Sequence, residues 1–189
     1  MQEKANPEDW DQVKVSHKTA KQAIEVSSKY LEARASFLTE TGESKLLRGN
    51  DNFIGRIAEM LAILHFHHSG VQKIERPKSK SHKGVDLILT GKDGRKRLIS
   101  VKCVTHENKS GRSSRIRWAG DDTQPPQSPP DNFEVWLVLI KDNKYCIHNV
   151  SARCKQNNRL LKYTHRSHVP GHPNPYIIPF SEVLRQPRP

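Results

Sequence analysis

The 189 residues suffice for one domain with a sizeable core and are too few for two ordinary domains with a linker. Lys and Arg number 32 against 20 Asp and Glu, and the formal net charge of +12 is the footprint of a protein that meets phosphate backbones. No run approaches the roughly 18 apolar residues of a membrane span, the N-terminus Met-Gln-Glu-Lys has no signal-peptide core, and three cysteines at no framework spacing fit a reducing compartment. A soluble cytoplasmic protein is therefore expected.

The mean hydropathy of -0.78 is polar for a globular chain, but the apolar residues are gathered into periodic runs, so a folded domain with long polar loops is expected. Residues 1–16 are polar, with Trp10 and Val13 as anchors and Pro7-Glu-Asp as the opening of a short helix. Over residues 17–39, Ala20, Ile24, Leu31, Ala35 and Leu38 recur at helical steps and predict a long amphipathic helix. Its stripe packs on its own domain or, in part, on a second copy of the chain.

Thr41-Gly-Glu-Ser breaks that helix, and Asn50-Asp-Asn offers N-caps for a second one over residues 53–68, ended by Ser69-Gly70. This helix is apolar nearly all round, which predicts burial on most faces, and Glu59 lies in its middle. His65, His67 and His68 suit its C-terminal dipole. Strands are predicted over residues 71–75 and 85–89, separated by the basic loop Lys78-Ser-Lys-Ser-His-Lys83. Lys92-Asp-Gly-Arg95 carries the Asp-Gly signal of a hairpin, so residues 96–105 return antiparallel.

Register decides which faces meet. A two-residue Asp93-Gly94 loop sets Asp86 opposite Val101, whereas a three-residue loop sets it opposite Lys102, on a shared face; a bulge is the other way to bring the two together. Residues 107–118 are polar and basic, and the four prolines between Asp121 and Asp131 predict a loop without regular structure. Strands over residues 133–140 and 145–150 follow, then a short basic helix over 151–161, a loop rich in His and Pro, and a last strand over 176–180. Cys146, Cys154, His165 and His168 do not have the compact spacing of a zinc set. The pattern as a whole predicts an α+β domain with a mixed central sheet flanked by helices. Residues 1–50 form an N-terminal helical extension, 51–150 the core and 151–189 a C-terminal extension.

Three charged groups stand on hydrophobic elements: Glu59 on the buried helix, Asp86 in Gly84-Val-Asp-Leu-Ile-Leu, and Lys102 in Leu98-Ile-Ser-Val-Lys-Cys. Singly, each has an ordinary explanation as a solvated helix face, an edge strand or a snorkelling side chain. Together they do not, because an uncompensated charge inside an apolar element is costly and a bound cation beside a lysine compensates it. Hard carboxylate oxygens suit Mg²⁺, with Mn²⁺ as a substitute: Asp86 and Glu59 with the Val101 carbonyl as ligands, and Lys102 to orient or deprotonate a water. The surrounding segment from Lys78 to Arg117 holds twelve Lys and Arg against three acids. Lys78, Lys80 and Lys83 on one side and Arg112, Arg115 and Arg117 on the other are candidate DNA contacts.

Gly55-x-x-x-Glu59 on a helix, Val85-Asp86 on a strand, a turn, and Ile99-x-Val101-Lys102 together resemble the PD-(D/E)XK nuclease superfamily, type II restriction endonucleases among them. The resemblance covers residues 53–105 directly and implies an αβββαβ core, Mg²⁺-dependent cleavage of double-stranded DNA and catalytic roles for Glu59, Asp86 and Lys102. Val85 replaces the usual Pro, and Ser100 stands where the family has Asp or Glu. Ser100 then holds a water through its hydroxyl while Glu59 supplies the lost charge, or the site is weakened. The expectation is a sequence-specific restriction endonuclease acting as a homodimer. A junction resolvase, a repair nuclease or a catalytically weakened DNA-binding subunit are the alternatives.

Overall fold

The structure, a computed structural model, describes residues 10–40, 52–78, 84–105, 114–117, 131–141, 143–151, 160–163 and 178–179. Its elements in chain order are β1 (Trp10–Gln12), α1 (His17–Glu40), α2 (Asn52–His68), β2 (Lys73–Pro77), β3 (Leu87–Thr90), β4 (Lys96–Thr105), β5 (Ser114–Arg117), β6 (Phe133–Lys141), β7 (Lys144–Asn149), β8 (Leu160–Tyr163) and β9 (Ile178–Pro179). A seven-stranded sheet runs β1-β2-β3-β4-β6-β7-β9, with β5 and β8 forming a separate pair. Every pairing is antiparallel except β4 with β6, so the sheet is mixed, as expected of an α+β chain. No helix among the described residues is long and apolar enough to cross a membrane.

α1 begins where Ser16 caps it: the Thr19 amide donates to Ser16 Oγ at 3.1 Å, satisfying one of the donors a helix start leaves unpaired. Its buried stripe is Ala20, Ile24 and Ser27, with Leu31 half-buried, and it stops short of Ala35, which is exposed. α2 is the central helix. Ile54, Ile57, Ala58, Leu61, Ala62, Leu64 and Phe66 are buried, and they share one core with Ile74, Leu87, Leu89, Ile99, Val101, Val138 and Ile140 of the sheet. Each large side chain here stabilises the fold by roughly 1.5–3 kcal/mol. Val135, Leu137 and Leu139 alternate with Val138 and Ile140 along β6 and are also buried, so this part of the sheet has both faces covered.

Several expectations need correction. The hairpin between β3 and β4 pairs Leu87 with Ile99 and Thr90 with Lys96, so the connection is residues 91–95, longer than either loop expected from the sequence. The Gly91 amide closes it on the Arg95 carbonyl at 3.0 Å, and Gly94 takes φ 74° at its tip. Of residues 151–161, expected to be helical, Leu160 and Leu161 instead belong to β8 and pair with Arg117 and Ile116 of β5, while residues 152–159 lie outside the described residues. Trp10 enters a strand because it pairs with Pro77 at the sheet edge. The loop expected over residues 121–131 and the short helix at Pro7 lie outside the described residues, as does most of the stretch where a second core helix would stand. Cys103 and Cys146 are free thiols, and burial pushes the Cys146 thiol up to about 12.

Candidate active site

Asp86 stands where the β3 ladder stops. Extended by one step, the Leu87–Ile99 register would set Asp86 opposite Ser100, but the Asp86 amide instead donates to the Ile99 carbonyl at 2.8 Å, one residue out of register. The offset is that of a β-bulge, the device that re-aims a side chain at the end of a ladder. Gly84, at φ 86°, precedes it and makes the left-handed entry that other side chains rarely adopt. The carboxylate then lies along β4, where Oδ2 accepts the Val101 amide at 2.6 Å and the Ser100 hydroxyl at 3.3 Å. Asp86 thus satisfies an amide that the β3 ladder no longer reaches.

Ser100 is fully buried, at 0% exposure, so its hydroxyl is held in place and its bond to Asp86 is a fixed part of the site. Alternation along β4 places Ser100 and Lys102 on one face and Ile99 and Val101 on the other, against α2. Lys102 is half-buried. The 91–95 connection, not a three-residue loop, sets Asp86 level with Ser100, and the offset at Asp86 accompanies the turn of its carboxylate onto the Ser100 hydroxyl and the Val101 amide, with Lys102 two residues further along the Ser100 face.

Glu59 reaches this place from α2. Burial pushes its carboxyl above the ordinary 4.5, and the neighbouring Asp86 charge pushes it further in the same direction; Arg56, Arg76 and Lys102 pull it back. The Asp86 carboxylate is thus near enough to make ionising Glu59 costlier. The three cations named by the same balance stand around them. All of these groups except Lys102 line a cleft of about 820 Å³ between α2, the end of β2, the Gly84–Asp86 segment and the stretch joining β1 to α1. Lys14, Val15 and Thr19 form part of its wall, so the N-terminal segment helps to build the site.

The residues expected to touch DNA are distributed differently. Lys78 is on the cleft, exposed, with its ammonium 4.0 Å from the Asp11 carboxylate. Lys80, Lys83 and Arg112 lie outside the described residues, and Arg115 and Arg117 stand two residues apart on β5. Missed from the sequence were Lys14, Arg56 and Arg76. Arg56 was within reach, since it precedes Glu59 by three positions and so shares its helix face. Arg76 and Lys14 were not, because only the β1–β2 pairing, which sets Arg76 opposite Asp11, brings the N-terminal segment to α2.

Hard oxygen donors fit Mg²⁺, which binds through one or two carboxylates and keeps several waters. The Asp86 charge that makes ionising Glu59 costlier is one that a cation beside them would offset. Among the described residues no third His, Cys, Asp or Glu joins them, so the protein's share of such a site is two carboxylates and backbone. Comparison of the chain with protein-family models, curated proteins and solved structures finds no match.

Proposed function

We propose that the protein is a Mg²⁺-dependent DNA endonuclease of the PD-(D/E)XK kind, cutting double-stranded DNA as a sequence-specific homodimer of the restriction type. The observation that carries this reading is the joining of Asp86 to Ser100 and Val101, with Lys102 near enough to favour the charged form of Glu59. α2 followed by β2, β3, β4 and β6 supplies one helix and four strands in the order of the αβββαβ core. Glu59 and Asp86 would hold the cation, with the Val101 carbonyl beside them. When bound, the cation neutralises phosphate charge and acidifies a water. Lys102 offsets the charge that develops on the phosphate and orients or deprotonates the attacking water. Ser100 steadies the Asp86 carboxylate, while Glu59 supplies the negative charge that the usual acid at position 100 would bring. Two copies, each with one site, suit the two strands of a palindrome.

The test is incubation of the purified protein with plasmid and Mg²⁺. Discrete fragments are expected, and Asp86→Ala and Lys102→Ala should abolish them while leaving DNA binding in place. Cleavage of four-way junctions alone would replace the restriction reading with a resolvase. Binding without cleavage of any DNA would leave a DNA-binding subunit in which Ser100 marks a lost activity.

A further inference from the structure

We infer that the cleft beside Glu59 and Asp86 is the seat of a nucleic-acid strand, and that Arg56, Arg76 and Lys14 grip the phosphates next to the one that would be cut. The inference rests on the proposed nuclease reading for its substrate, but its residues are not among those expected from the sequence to touch DNA. Three observations carry it. First, Arg56 and Arg76 are exposed, and both line the same cleft as Glu59 and Asp86. Second, among the described residues neither guanidinium forms an ion pair within 4.0 Å, whereas Lys78 on the same rim lies that close to Asp11. Cations gathered near a carboxylate but not bonded to it are left to meet another anion.

Third, the cleft has a lining that suits a nucleic-acid strand. Strand alternation puts Arg76 on the face of Ile74, which packs on α2, and the Val13 amide fixes the N-terminal segment to the Ile74 carbonyl at 2.8 Å. Lys14 and Arg76 from the paired N-terminal segment and β2, and Arg56 from α2, thereby line one opening of about 820 Å³ together with apolar residues such as Val13, Ala23 and Met60. Cations and apolar surface in one cleft suit a polyanion whose sugars and bases also need to be covered.

The experiment measures binding of the full chain to a short duplex at a series of salt concentrations, without divalent cation, beside plasmid cleavage with Mg²⁺. Each phosphate contact contributes about 0.9 to the slope of log affinity against log salt. Arg56→Ala and Arg76→Ala should each lower the slope by about that amount, the double variant by about twice it. Lys92→Ala, at the exposed hairpin tip, should leave it unchanged. Arg76→Lys keeps the charge and should restore the slope, which separates loss of a contact from loss of the fold. An unchanged slope in the double variant, with wild-type cleavage intact, overturns the cleft and leaves the nuclease reading standing. A lowered slope in a protein that cleaves nothing upholds the cleft and overturns the nuclease reading.

Discussion

The two halves of α2 bury ionisable groups in different surroundings. Toward its middle, Glu59 is driven up by burial and by Asp86, yet three cations stand near enough to favour its charged form. Toward its end, His65 packs at a ring-centroid distance of 6.0 Å from Trp136, and burial lowers its pKa with His68 and His148 adding to the effect. No carboxylate acts on His65 to offset that shift. Both shifts favour the neutral form, but Glu59 has cations beside it and opens onto a cleft, whereas His65 closes on aromatic rings.

The sharpest way to break this contrast is to cut into each half. Phe66 is fully buried and meets Trp136 edge-on, at 5.0 Å and 87° between the rings. Phe66→Ala should lower unfolding free energy by about 3–5 kcal/mol in a denaturant titration, because the cavity adds to the lost burial. Asp86→Asn should do the reverse: the amide oxygen still accepts the Val101 N–H, so the melting temperature should hold. Cleavage should fall by about 100-fold or more, as when one charge-stabilising group is removed. Loss of stability without loss of cleavage in Asp86→Asn would assign the place where Asp86 meets the Glu59 end of α2 to packing as well.

Stability against pH sharpens the same contrast through its sign. Between 4.5 and its raised folded pKa, Glu59 holds a proton that the unfolded chain has released, so stability falls as pH rises through that window and is level above it. His65 behaves oppositely. Between its lowered folded pKa and 6.5 the unfolded chain holds the extra proton, so stability rises with pH across the window and is fully present above it. Thermal melts from pH 4 to 8 should lose the falling limb in Glu59→Gln and the rising limb in His65→Gln. On the proposed Mg²⁺ site, the wild-type melting temperature should rise with the logarithm of Mg²⁺ concentration, and Glu59→Gln should abolish that rise. The smallest effect belongs to Ser100→Ala, about 0.5–1.5 kcal/mol for one buried hydrogen bond, measured by the same denaturant titration.

Much of the molecule was legible in the residues. Hydrophobic periodicity placed α1 and α2 to within a residue and β4 at both ends, since a strong 3.6- or 2-residue pattern survives any tertiary context. β5 and β8 were not legible. Arg115 and Leu160 become strand residues only by pairing with each other's segment across more than forty positions, and local propensity is silent on such partners. The same limit applies at the candidate site: the hairpin signal at Asp93-Gly94 was correct, but the closing bond from Gly91 to Arg95 set a register that the dipeptide does not encode.

The sequence by itself determined which groups are anomalous. A glutamate in an apolar helix, an aspartate and a lysine on hydrophobic strands, and an excess of positive charge around them follow from residue order and the cost of burying charge. Only the tertiary structure decided that these anomalies meet. The bulge at Asp86 turns its carboxylate onto Ser100 and Val101, and the β1–β2 pairing carries Lys14 and Arg76 to the cleft that Arg56 and Glu59 line. Both depend on backbone hydrogen bonds between segments distant in the chain, whose partners are chosen by the assembled sheet and not by the residues that make them.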